Sequence, residues 1–237
     1  SGAGNGRVAE GDSGLMKRYP QYKNQWIEGS GTVPNSWKVA KLKRATQFHY
    51  GQSLPSENRL NGDIPVYGSN GIVGYHSESV SEKPCIIIGR KGSFGKVHFS
   101  HKECFPIDTT FYIDETATEN NICWLYFLLL HLKLDSFSKD SAVPGINREE
   151  LNENIVPLPT LSEQGAISKY LDHKTHLIDT LIEKKNKQIE LLQEQRSAII
   201  NQAVTKGLNP NEKMKDSGVE WLGEVPEHWK IKRLKYL

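Results

Sequence analysis

Cysteine is scarce in this chain of 237 residues. There are three, Cys85, Cys104 and Cys123, an odd number with no Cys-x-x-Cys pair. That excludes a disulfide framework and leads us to expect a reducing, cytoplasmic setting. Long apolar runs are also missing. The richest, Ile122 to Leu134, carries His131 and Lys133 and falls short of the roughly 20 apolar residues of a membrane helix. No membrane partner is therefore expected. Nor does one sign of charge dominate: 30 Lys and Arg face 28 Asp and Glu, a net charge of +2. Residues 37–156 hold 13 basic and 14 acidic residues, and residues 161–206 seven and six. A global basic field of the kind many nucleic-acid binders carry is absent, so any such site must be a local cluster. With 37% hydrophobic residues, the chain can still bury a core. Residues 1–15 are rich in Gly, Ala and Ser and lack the apolar centre of a signal peptide. They read as a flexible leader ahead of Met16.

What is present begins with a repeat. Val33-Pro34-Asn35-Ser36-Trp37-Lys38-Val39-Ala40-Lys41-Leu42-Lys43 returns as Val225-Pro226-Glu227-His228-Trp229-Lys230-Ile231-Lys232-Arg233-Leu234-Lys235, with six identities in eleven positions. Upstream, Trp26-Ile27 matches Trp221-Leu222 if the first copy carries three extra residues. The period is far too long for a solenoid. It suggests that residues 208–237 open a second copy of a large module and act as a docking tail.

Between the copies lie two unlike regions, which together predict an α+β fold. Residues 16–158 read as a mixed α/β globular domain. Short β-prone runs at Ile64–Tyr67, Ile72–His76, Cys85–Gly89, Lys96–Phe99 and Thr109–Ile113 are separated by Gly, Asn, Ser and Pro. Cys85-Ile86-Ile87-Ile88 is continuously apolar, as suits a strand buried on both faces. Residues 120–134 read as one apolar core helix capped by Asn120 or Asn121.

Residues 160–207 predict a long helix. Pro157-Leu158-Pro159 breaks the chain, Thr160-Leu161-Ser162-Glu163 has the capping-box form, and Gly207 followed by Pro210 closes the segment. Leu171, Ile178, Lys185, Leu192 and Ile199 recur every seven residues, as do Tyr170, Leu177, Lys184, Leu191 and Ala198. This is a coiled-coil seam with a lysine interruption. A rod of roughly 65 Å needs a partner for such a stripe, and a second copy of the chain would supply one.

Gly89-Arg90-Lys91-Gly92-Ser93-Phe94-Gly95-Lys96 looks superficially like a nucleotide loop. Its spacing fits neither a kinase glycine loop nor a P-loop, and no partner motifs follow. It is either a tight β-turn or a loop whose amides and cations approach phosphates. His98, His101 and Cys104 lack a second ligand cluster, so no metal is expected. No nucleophile elbow, paired carboxylates or methyl-donor loop stands out. The chain reads as non-catalytic, without a cofactor.

Three strings occur in a telling order: Gly62-Asp63-Ile64-Pro65-Val66-Tyr67-Gly68-Ser69-Asn70-Gly71-Ile72-Val73-Gly74-Tyr75, then Ile86 to Gly95, then Val156 to Gln164. They resemble the DNA-specificity subunit of type I restriction-modification systems. The helix ending Arg196 to Gly207 resembles that family's conserved helical region, and Asp216 to Trp229 its module opening. The resemblance implies a target recognition domain followed by a helical spacer, each normally present twice. The paired domains read the two halves of a split DNA site, while separate subunits methylate and cleave. One domain and one helix are present here, as in a half-subunit or truncated form. On this reading Arg90, Lys91 and Lys96 are candidates for phosphate contacts, and Ser69, Asn70 and Ser93 for phosphates or bases. Ser141 and Arg148 are further candidates. Leu171, Ile178, Leu192 and Ile199 would form a homodimer seam. The expected partners are double-stranded DNA, methyltransferase subunits and a restriction subunit. The competing reading is a coiled-coil assembly protein whose α/β domain binds a protein or glycan.

Overall fold

A computed structural model describes residues 19–27, 31–136 and 145–232 of the chain. Two compact units divide at Leu171 and Asp172. The first contains strands β1 (Tyr22–Ile27), β2 (Gly31–Pro34), β3 (Lys38–Lys41), β4 (His49–Tyr50), β5 (Ile64–Gly68), β6 (Gly71–His76), β7 (Cys85–Gly89), β8 (Val97–Ser100), β9 (Phe105–Pro106) and β10 (Thr110–Ile113). Helices α1 (Ile122–His131) and α2 (Arg148–Glu153), strand β11 (Ile155–Leu158) and the first turns of α3 (Leu161–Lys206) complete it. The second unit holds the rest of α3 with β12 (Met214–Asp216) and β13 (Glu224–Pro226).

An antiparallel sheet of order β4-β10-β7-β8 is the centre of the first unit. The unbroken apolar run in β7 has a simple cause, because alternate residues serve different cores. Ile86 and Ile88 join Phe111, Ile113, Leu125 and Leu129 in the larger core. Cys85 and Ile87 turn the other way, toward Tyr67, Cys104 and Tyr112. A second sheet, β6-β5-β9, pairs β5 with β9 in parallel, and β3 pairs with β11. The five strands read from the sequence lie within a residue of their expected bounds. The pairing of β11 was hidden by Pro157, which sits opposite Val39 at an edge where its missing N–H costs no ladder bond. Helix α1 stops at His131, short of the expected Leu134, because Lys133 adopts a left-handed φ of 48°.

Gly95 has φ 77°, and a β-carbon there would stand 2.2 Å from the Asp135 amide nitrogen. Both the backbone and the neighbour require glycine. Gly95→Ala is expected to cost about 2–3 kcal/mol and to lower the melting temperature by roughly 5–10 °C, measured by circular dichroism.

The start of α3 is fastened by polar groups. The buried Gln164 accepts from the Asn121 N–H at 2.8 Å and donates to Asn120 Oδ1 at 2.8 Å and to the Pro159 carbonyl at 3.0 Å. The capping box read from the sequence is present: Thr160 N–H donates to Glu163 Oε2 at 2.9 Å, and Glu163 N–H donates back to Thr160 Oγ1 at 3.4 Å. Trp37 Nε1 and Tyr19 Oη donate to the other oxygen, Oε1, at 3.1 and 3.0 Å. Burial raises the Glu163 pKa, but hydrogen bonds from Thr160, Trp37 and Tyr19 outweigh it and hold the carboxyl below its ordinary value. The stability this carboxylate contributes is therefore present above its unfolded pKa and lost as pH falls through the depressed one. Glu163→Gln should flatten the acid limb of the stability–pH curve below about pH 4. An acid limb unchanged in urea titrations would contradict this role.

The repeated segments fold alike at the hairpin base, although β1–β2 shifts register above it and β12–β13 does not. Tyr22 pairs with Pro34, and Met214 with Pro226. The Asn35 amide donates to the Gln21 carbonyl at 3.1 Å, and the Glu227 amide to the Lys213 carbonyl at 2.8 Å. The Trp37 amide donates to Pro34 at 3.1 Å, and the Trp229 amide to Pro226 at 2.9 Å. Each pair differs by 192 positions, so the hairpin bases match without the three-residue insertion inferred from the tryptophans.

Candidate nucleic-acid interface

The loop joining β7 to β8 is a tight turn whose amides are largely used within the protein. Gly89 N–H donates to the Lys96 carbonyl at 2.8 Å and Gly95 N–H to Gly89 at 2.9 Å. The Arg90 and Lys91 amides both donate to the Thr109 carbonyl, at 2.9 and 3.2 Å. These four amides cannot also cradle an anion, so a phosphate would have to be met by side chains or by the amides at the loop tip.

Arg90 is half-buried. Its Nη1 donates to the Asp108 carbonyl at 3.1 Å, and its Cζ lies 5.1 Å from the Tyr50 ring centroid and 5.7 Å from that of Phe111. The Arg148 Cζ lies 5.0 Å from the same Tyr50 ring. Arg148 opens α2, whose capping box joins Asn147 and Glu150. The Arg90 carbonyl accepts from the Ile146 amide at 3.0 Å, and Lys91 bridges to Gly145. Backbone bonds thus bring the β7–β8 loop and the start of α2 together. Tyr50 is 45% exposed, and its ring lies 5.0 Å from that of Phe111, inclined by 60°. Two guanidiniums therefore rest against one accessible ring, and among the described residues neither has an acidic partner within salt-bridge distance. Such cation–π seats fix the guanidinium planes at little cost in side-chain entropy. Beside Arg148, a cleft of about 330 Å³ is lined by Lys43, Gln47, His49, Glu149 and Asn152, among others.

The other sequence candidates are placed differently. Lys91 is exposed beside Arg90. Lys96 is exposed and hydrogen-bonds Asn70 Oδ1. Ser69 is buried and its hydroxyl donates to the Thr109 carbonyl at 2.6 Å, a structural contact. Ser93 is half-buried in the turn. Ser141 lies outside the described residues. Sequence reasoning missed Tyr50, Gln47 and Asn152. An aromatic two residues after the buried Phe48 was the one available signal, and it is a weak one.

Along α3, Ile178, Leu192 and Ile199 are 57%, 54% and 59% exposed, and Leu171 is half-buried. Among the described residues no group of three or more His, Cys, Asp or Glu could hold a metal. No described helix is long and apolar enough to cross a membrane. The hydrogen bond with Cys104 and burial push the Cys85 thiol up.

The α+β unit thus presents two guanidiniums on an aromatic ring, and the long helix α3 carries an open apolar stripe. The chain belongs to the type I restriction modification DNA specificity domain family, whose model matches residues 34–191. It is similar to the type I restriction enzyme MjaVIII specificity subunit of Methanocaldococcus jannaschii, with 26% identity over 93% of this chain and 53% of the relative. It is also similar to the EcoprrI specificity subunit of Escherichia coli, with 24% identity over 70% of this chain and 43% of the relative. The chain thus spans about half the length of these curated relatives. Among solved structures, a chain from a study of type I R-M complex assembly aligns with a TM-score of 0.64 at 19% identity, covering 76% of this chain and 48% of that one. The S subunit of a type I restriction-modification system from M. genitalium aligns with a TM-score of 0.54 at 22% identity, covering 69% and 44%. These likenesses establish the α+β fold.

Proposed function

We propose that this chain is the DNA-reading part of a type I restriction-modification complex, a cytoplasmic scaffold that recognises half of a bipartite target. Residues 16–158 would form the target recognition domain, residues 160–207 the spacer, and residues 208–237 the opening of a second module. The observation that carries the reading is the pair of guanidiniums seated on Tyr50, without an acidic partner among the described residues, within a chain of this family. Arg90, Arg148 and Lys91 would hold phosphates, with Lys96 and Asn70 beside them. Gln47 and Asn152 would supply the amide groups that suit base edges in the major groove. Methyltransferase and restriction subunits would supply the chemistry. Two copies would pair through Leu171, Ile178, Leu192 and Ile199 as an antiparallel two-fold dimer, reading a symmetric interrupted site.

The test is duplex binding by the purified chain across a salt series, then methylation with and without the cognate modification subunit. A steep negative slope of log affinity against log salt is expected, with methyl transfer only when that subunit is added. Salt-insensitive binding would favour the protein- or glycan-binding alternative, and methyl transfer by the chain alone would overturn the scaffold reading.

A further inference from the structure

The two copies of the Val-Pro-x-x-Trp hairpin differ in what covers them. In the second copy, the face made by Pro226 and Trp229 is closed by the end of a helix. A β-carbon on Gly207, the residue that stops α3, would stand 3.5 Å from Pro226 Cγ and 3.6 Å from Trp229 Cζ2. In the first copy, where the Trp37 indole instead bonds Glu163 at the start of α3, Pro34 and Trp37 also border an open groove of about 740 Å³. Tyr22, Phe127, Ile167 and Leu171 also line it, so it is strongly apolar and aromatic. An open apolar groove of this kind is a binding surface in search of an occupant.

We propose that this groove seats the C-terminal end of α3 from a second copy of the chain, with Ile200, Val204 and Leu208 as the inserted side chains. The proposal rests on the two-fold pairing proposed above and names where its outer contacts lie. Three observations lead to it. The second copy of the hairpin shows that this folded face packs against a helix end. Ile200 and Val204 lie one turn apart on one helix face, and Leu208 follows the Gly207 stop. All three are exposed, at 49%, 65% and 91%, although their own hairpin packs beside Gly207. Finally, the groove is continuous with the seam, because Leu171 belongs to both. An antiparallel pair centred on the midpoint of α3 (Leu161–Lys206) sets Ile200 of one copy opposite Ile167 of the other. Val204 then comes level with Glu163, and Leu208 with Pro159, beside the Trp37 indole that bonds Glu163. Each α3 end would thus lie between its own second hairpin and the other copy's first.

A photoreactive benzoylphenylalanine at Leu130, a groove residue that is 43% exposed, tests the seat in the full chain. Isotopically heavy and light chains are mixed, and cross-linked peptides are read by mass spectrometry. The expected product joins position 130 of one chain to residues 198–208 of the other. Independently, Val204→Lys with Leu208→Lys should weaken self-association at least tenfold in sedimentation without loss of helix content. A dimer that cross-links elsewhere, or one whose association is unchanged by the two lysines, overturns the seat while leaving the pairing intact. An unmutated chain that sediments as a monomer at tens of micromolar overturns the pairing and the seat together.

Discussion

Replacing Arg90 and Arg148 together with alanine is expected to weaken binding to duplex DNA about 100-fold at low salt, since each lost phosphate contact is worth roughly 1–2 kcal/mol. The slope of log affinity against log salt should fall by about two, because each contact contributes about 0.9. The domain should remain folded, as neither side chain belongs to the buried core. Tyr50→Phe keeps the ring on which both guanidiniums rest and should bind nearly as the parent does. Tyr50→Ala removes the ring and should resemble a partial loss of both arginines. Fluorescence anisotropy with a labelled duplex at several salt concentrations reads all of these. An unchanged slope in the double variant would remove this surface from the interface.

Leu192→Asp is expected to have the largest effect on assembly. Leu192 is 54% exposed along a single chain, so a carboxylate there is well solvated in the monomer. In a two-fold seam it would be buried twice, once from each copy, and Lys174, beside the level of position 192 in the antiparallel register, would offset only part of that cost. The dimer dissociation constant should rise at least about 100-fold, at a cost of roughly 3 kcal/mol or more. Sedimentation equilibrium measures it, with circular dichroism as the check on folding. Equal association constants for the variant and the parent would show that the heptad stripe does not form the seam.

Much of the fold could be read from the residues because local chemistry and tertiary placement agree. Thr160 and Glu163 are spaced for a capping box and form one. The Cys85–Ile88 run is apolar throughout because two cores claim alternate side chains. Elements decided by distant pairing were not legible. β3 and β11 are four residues each and exist because they find one another across the chain. The helix α2 is six residues long, too short for any periodicity to register. The candidate site divides in the same way. Arg90 and Lys91 announce themselves by clustering, whereas Tyr50 acquires its place only when β4 pairs with β10 and two separate segments lay their arginines against its ring. Ser69 looked available in a Gly-Ser-Asn-Gly turn, but the carbonyl of Thr109 lies within reach on the inside.

The matched hairpins have a consequence for making chimeras. Because the base pair and the turn after it make matching backbone bonds in both copies, a splice in the turn that follows Pro34 or Pro226 would preserve those bonds. The turn after the Val-Pro step is thus a natural suture, at which one globular domain could be exchanged for another while the long helix is left untouched.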